Sequence, residues 1–244
     1  GGVGTSTQFD GTISGAGTSN LVKSGSGTFT LTANNTYAGT TTISGGTLAI
    51  SGIGAKVGND AGPIMVGSNQ LDIANGANLG NPVTITNGVV ATSNGSGTLS
   101  GSLTLSGDAT LAVSGTGTAL TVDGTIAQSG GTHALIVDAG TGTITLTANN
   151  SYDGTTTINS GMLIVSGAGA RVGNDTGAIA VGANQLEINN GASLGNPVTV
   201  STGTVGNSAG AGTVNGAIAT TANAKLQSTG GGAGLTLGDI GGAG

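Results

Sequence analysis

The strongest constraint on this chain is that it contains one long stretch twice. Residues 30–88 read TLTANNTYAGTTTISGGTLAISGIGAKVGNDAGPIMVGSNQLDIANGANLGNPVTITNG, and residues 145–203 read TLTANNSYDGTTTINSGMLIVSGAGARVGNDTGAIAVGANQLEINNGASLGNPVTVSTG. They start at Thr30 and Thr145, 115 residues apart, align without a gap and agree at roughly two positions in three. Downstream, Gly97-Thr98-Leu99-Ser100-Gly101 faces Gly212-Thr213-Val214-Asn215-Gly216. Upstream, Asp10-Gly11-Thr12-Ile13 resembles Asp123-Gly124-Thr125-Ile126 at the slightly shorter offset of 113. The closing Ile240-Gly241-Gly242-Ala243-Gly244 resembles Ile13-Ser14-Gly15-Ala16-Gly17, so the chain ends near the phase in which it began. The expected organisation is a single continuous array over 1–244. It holds two copies of a unit of about 115 residues, roughly 11–123 and 124–238, and a partial third at 239–244. The chain opens Gly1-Gly2-Val3 without Met and reads as an excerpt of a longer array.

A unit of that size exceeds any one supersecondary motif, so it must be subdivided. Short alternating runs recur every eight to twelve residues or so. They include 28–32, 41–44, 47–50, 70–73, 83–86 and 109–113, rich in Thr, Val and Ile, which favour strands. Asn34-Asn35, Asn59-Asp60, Asn75-Gly76, Asn87-Gly88 and Asn94-Gly95 punctuate them as turns, since Asn and Gly tolerate positive φ. No helical period competes. Glycine fills 52 of the 244 positions, but 36% hydrophobic residues and a mean hydropathy of +0.23 oppose disorder. Aromatics at 2% (Phe9, Phe29, Tyr37, Tyr152) exclude a core of large rings, as a sandwich or barrel of this size would carry. The pattern predicts an all-β fold, a β-solenoid, as an elongated rod of tandem repeats. Coils of roughly 20–25 residues would give about ten coils and a length on the order of 50 Å, with identical side chains stacking vertically and Asn or Thr ladders at the corners.

The run GSGTFTLTANNTYAGTTTISGGTL at 25–48 resembles the autotransporter-associated β-strand repeat, whose signature looks like G-x-L-T-L-x-x-N-N-T-Y-x-G-x-T-x-I-x-x-G-T-L. Asn34, Asn35, Tyr37 and Gly39 carry the match, and Asn149, Asn150, Tyr152 and Gly154 repeat it. The second copy has Ser151 for Thr36, Asp153 for Ala38 and Ser160-Gly161-Met162 for Gly45-Gly46-Thr47. The resemblance covers about a quarter of the chain and is fairly specific, because Asn-Asn-x-Tyr-x-Gly lies between two strands at fixed spacing. It implies a passenger region of a bacterial surface protein, folded as a right-handed parallel β-helix outside the outer membrane and typically poor in cysteine. The family's signal peptide and membrane barrel are not part of this stretch. Attachment to the outer membrane would run through regions beyond it.

Little in the chain points to chemistry. Four dispersed basic residues, Lys23, Lys56, Arg171 and Lys225, against a net charge of −6, exclude a phosphate-neutralising surface and hence nucleic acid. No apolar stretch is long enough for a membrane helix. Zero cysteines exclude disulfides and thiolate metal sites. His133, the lone histidine, lacks the neighbours of a triad and is expected to be exposed or at a corner. Asp72 with Asp60, and Glu187 with Asp175, are the candidate carboxylate pairs for glycoside hydrolysis, but no aromatic platform accompanies them, and they are expected to be solvated. Gly230-Gly231-Gly232-Ala233-Gly234-Leu235 lacks the Asp of a calcium-binding nonapeptide, and no glycine run has the frame of a phosphate loop, so neither metal nor cofactor is expected.

Gly54-Ala55-Lys56-Val57-Gly58-Asn59-Asp60 returns as Gly169-Ala170-Arg171-Val172-Gly173-Asn174-Asp175. Lys56 and Asp60, with Arg171 and Asp175, are a candidate recognition loop, or else a surface ion pair fixing a turn. Tyr37 and Tyr152 read as plugs at a corner. Lys23 aligns with Asp138, a charge reversal expected to face solvent.

These readings together point to a structural or adhesive segment, not an enzyme. It would be a rigid stalk or filament at the bacterial cell surface, partnering itself through end-to-end or lateral contacts, or a cell-surface receptor. A β-helix polysaccharide-processing enzyme is the alternative. An ice-binding solenoid ranks lower, because Thr-x-Thr runs such as Thr28/Thr30/Thr32 do not recur on every coil.

Overall fold

Three to five alternating residues ended by a turn make a strand too short to stand alone, stable only with strands stacked above and below it. The computed structural model describes residues 4–15, 18–115, 117–230 and 234–242. Gly1-Gly2-Val3, Ala16-Gly17, Thr116, Gly231-Gly232-Ala233 and Ala243-Gly244 lie outside the described residues. Among the described residues every regular element is a strand, neighbouring strands pair in parallel, and the chain winds through about 11 coils of a β-solenoid.

Three faces make up each coil. The first face stacks Leu21–Lys23, Thr41–Ile43, Ile64–Val66, Val83–Ile85, Leu103–Leu105 and Ile126–Gln128. The second begins with Thr28–Leu31, Thr47–Ser51, Gln70–Ala74, Val89–Thr92 and Ala109–Val113. The third begins with Ala77–Leu79, Ser96–Leu99 and Ala119–Val122. Two long strands, Leu135–Leu146 and Thr156–Ser166, run through a corner and serve the second and third faces together, with register shifts near Asp138. On the second face the shortest coils step as from Thr28 to Thr47 and the longest from Ala109 to Leu135, which brackets the expected coil.

The interior is a set of aliphatic ladders. One column on the second face runs Leu48, Leu71, Val90, Leu111, Val137, Ile158, Val181, Val200, each paired with the next and almost wholly buried. Each such side chain contributes about 1.5–3 kcal/mol of transfer free energy, so a slender rod is stable without large rings. The column crosses from the first copy into the second without a break.

The copies, however, do not stack in phase. Thr41–Ile43 lies on the first face, whereas its counterpart 156–158 lies on the second, beneath Ile179–Val181. Thr47–Ser51 lies on the second face and its counterpart 162–166 on the third. One unit therefore takes five coils and one further face. The expected vertical stacking of identical side chains is met only in places, as at Leu48 and Leu71; elsewhere the vertical neighbours are aliphatic but differ, as in Leu71, Val90, Leu111 and Val137.

Candidate functional site

The Asn-Asn-x-Tyr-x-Gly corner joins three successive coils. Asn35 is fully buried; its Oδ1 accepts from Ile13 N of the preceding coil at 2.7 Å, and its Nδ2 donates to Lys56 O of the next at 2.6 Å. Asn150 repeats this, accepting from Ile126 N at 2.7 Å and donating to Arg171 O at 2.6 Å. A side-chain amide, one acceptor and one donor on a short stem, suits this role because it satisfies backbone groups facing opposite ways along the axis. Asn35 and Asn150 thus bond to backbone rather than to each other, whereas side-chain bonds between coils occur elsewhere, as from Asn207 Nδ2 to Asn189 Oδ1 at 3.3 Å and from Asn75 Nδ2 to Ser51 Oγ at 2.7 Å. Asn34 and Asn149 are exposed, and their backbones bridge Lys56 and Arg171.

Next along the corner, Tyr37 and Tyr152 are buried, with hydroxyls 2.7 Å from Thr41 Oγ1 and 2.6 Å from Thr156 Oγ1. Burial pushes both phenols above their usual range. Gly39 and Gly154 let the chain pass close over the coil below: a Cβ would sit 2.3 Å from Ser19 O in one case and 1.8 Å from His133 O in the other. All eight motif residues therefore sit at two like corners, on different faces of the rod.

Lys56 pairs with Asp60, and Arg171 with Asp175 at 2.5 Å. Asp60 and Asp175 adopt positive φ (64° and 70°), and Asp175 Oδ1 also accepts from Gly195 N of the next coil at 2.9 Å. Each pair is about one-third exposed (36% and 32%; 43% and 30%), so solvent screening leaves it about 0–1 kcal/mol. In both copies the ion pair spans the turn that ends at the positive-φ aspartate.

Three expectations need correction. Lys23 does not face solvent: it is 8% exposed, and its ammonium donates to Ser24 O, Gly25 O and Gly45 O at 3.0, 2.8 and 2.7 Å. It alternates with exposed Val22 and pairs in register with buried Ile43, while carbonyl oxygens of the turn replace water, and burial pulls its pKa below the lysine range. Asp138, its counterpart, is exposed and accepts from Ser160 Oγ. Nor are Asp72 and Glu187 solvated. Strand alternation turns them outward, yet they are 5% and 4% exposed, because the following coil closes over them. Ser93 caps Asp72 through its backbone N–H (2.8 Å) and hydroxyl (2.5 Å), and a Cβ on Gly206 would lie 2.4 Å from Glu187 Oε1. Burial raises the Asp72 pKa against those two hydrogen bonds, which lower it. The candidate carboxylate pairs are thus held apart in role, with Asp72 bound to Ser93 and Asp60 to Lys56.

A class of site residue went unread in the sequence. Asp10 accepts from Thr32 Oγ1 (2.6 Å), and Asp123 from Thr147 Oγ1 (2.8 Å), one coil on. Hydrogen bonds from Thr32 and Gln8 hold the Asp10 carboxyl below its ordinary range. These acids are rungs between coils, and the recurrence of both Asp and Thr at nearly the copy spacing was the available signal. His133 is half-buried, with Nε2 3.0 Å from Ser129 O. A surface depression of about 380 Å³, bordered by Thr143, Met162, Gln185 and Thr204, is lined by uncharged residues.

Two segments, 21–50 and 136–165, match the passenger-associated-transport-repeat family, and each contains one of the asparagine–tyrosine corners. The chain is also 27% identical over 167 residues to the adhesin BmaC autotransporter of Brucella suis biovar 1 (strain 1330), an alignment covering 65% of this chain and 4% of that adhesin. The chain therefore spans a small fraction of the length of the curated relative it matches. No solved structure matches it. With the family match falling on the same corner in both copies, the chain carries two segments similar to passenger-associated-transport repeats within one β-solenoid.

Proposed function

We propose that this chain is a stalk segment of a bacterial cell-surface adhesin, exported through an autotransporter route and anchored to the outer membrane by regions beyond it. It would set the reach of the molecule and would not catalyse a reaction. The observation that carries the reading is the aliphatic column from Leu48 to Val200, continuous across the junction of the copies. Copies joined in this way form one rod whose length grows with copy number. At about 4.8 Å per coil, each copy adds about 26 Å. Strand edges at a solenoid end invite pairing, so a free segment would also associate end to end.

Electron microscopy of rods built from two, four and six copies tests the reading. Lengths rising by about 26 Å per copy support it, and particles that grow in width or collapse into beads overturn it. Sedimentation at rising concentration tests self-association, which a constant monomer mass would refute. Binding to a cell-surface receptor, measured on whole cells displaying or lacking this segment, is the corresponding test of adhesion.

A further inference from the structure

We propose that an array of these units displays each surface element on successive sides of the rod, one face further round per copy, so that binders seated on the same element of neighbouring copies point apart. For arrays longer than this chain the proposal rests on the stalk reading. The step between the two copies here does not.

The argument is the register. Among the described residues, the first-copy strands on the first face have their counterparts on the second, and those on the second have theirs on the third. Ala77–Leu79, on the third face, corresponds to Ala192–Leu194, which leaves the third face and pairs with 212–214 in a separate sheet. The points where the chain re-enters its phase give independent support. Ile13 hydrogen-bonds to the Asn35 corner that leads into the third face, Ile126 pairs with Leu103 on the first, and Ile240 pairs with Ile218 on the second. Three successive starts thus occupy three different faces. A step of five coils and one face rises about 26 Å, and three steps restore the original direction after about 345 residues, about 16 coils and about 77 Å.

The element displayed in this way is the corner loop. Ile53 stands at its tip between Gly52 and Gly54, both at positive φ, and is 92% exposed. Ala168 holds the same tip in the second copy and is also exposed. The paired charges Lys56/Asp60 and Arg171/Asp175 lie beside the two tips. On one side of the rod, binders seated only about 26 Å apart would crowd each other; turned by a third of a circle, neighbouring tips point apart. A flat partner lying along the rod meets the same tip only once in three copies.

The chain has no cysteine, so labels can be placed cleanly. Ile53→Cys combined with Ala168→Cys, biotinylated and mixed with anti-biotin Fab, is the test, read by mass and by electron microscopy. The expected result is two Fabs per chain, diverging by about a third of a turn, with each single variant binding one. Two Fabs projecting from the same side, or saturation at one Fab on a doubly biotinylated chain, overturns the proposal. Met65→Cys with Ala180→Cys repeats the measurement on equivalent strand positions, should the loop variants fold poorly. A short or globular particle bearing two diverging Fabs would count against the stalk alone, and a long rod with aligned Fabs against the rotation alone.

Discussion

Asn150 offers the sharpest perturbation. Its amide is 2% exposed and is the sole side chain bonding both Ile126 N and Arg171 O among the described hydrogen bonds. Asn150→Ala leaves both backbone groups without that partner. Ile126 is fully buried, so its N–H bears the larger penalty, on the order of 1–3 kcal/mol. The bond to Arg171 is only partly buried, which lets water recover part of its loss and leaves about 1 kcal/mol. The total expected is about 2–4 kcal/mol, up to several hundred-fold in the folding equilibrium. Asn149→Ala is the control: one position away, exposed and outside the clamp, it should change stability by less than about 0.5 kcal/mol. Urea unfolding followed by circular dichroism measures both. Because a solenoid's stability resides in neighbouring-coil interfaces, amide exchange should also accelerate at Ile126 and its strand before distant coils respond. Equal stabilities for the two variants, both near the parent, would refute the clamp.

Gly154→Ala should be far more destabilising than Gly169→Ala, although only Gly169 has positive φ. The first Cβ meets His133 O, while the second enters open space and bears only backbone strain of about 1 kcal/mol; reversed order in thermal melts would disprove the close approach. Tyr152→Phe strands the buried Thr156 hydroxyl and should cost about 1–2 kcal/mol, with Tyr152→Phe/Thr156→Val recovering part of it in a double-mutant cycle. Asp72 has a folded pKa raised above its unfolded value, so the native state takes up its proton first. Its contribution to stability should rise as pH falls through that raised pKa toward the ordinary carboxylate value. The gap between parent and Asp72→Asn in urea midpoints should shift in the parent's favour across that window, and a shift the other way would refute the assignment.

Much of the architecture was legible because it is periodic. The offset between copies, the short Thr/Val/Ile runs and the Asn/Gly turns each express the solenoid locally, and the asparagine–tyrosine corner is contiguous in sequence. The stepwise rotation was not legible. It depends on where each coil closes, and the longest coil, between Ala109 and Leu135, hides its extra residues among ordinary turn residues. Burial of Lys23, Asp72 and Glu187 escaped for a related reason. Alternation correctly turned the two acids outward from their strands, but the turn that covers Asp72 comes from Ser93, 21 residues further along. The division of labour between Asn34 and Asn35 likewise needs the coils above and below, since identical neighbours in sequence meet different surroundings.

The direction of the inter-coil bonds has a mechanical consequence. Strands lie across the rod, so the hydrogen bonds that join one coil to the next lie along it, and tension applied to the ends loads them head-on. They yield a coil at a time by peeling rather than all together by shear. Each coil set free releases about 21 residues, about 70 Å of extended chain, from about 4.8 Å of rod. A tether built this way lengthens more than tenfold before its covalent backbone is strained, dissipating work at every step.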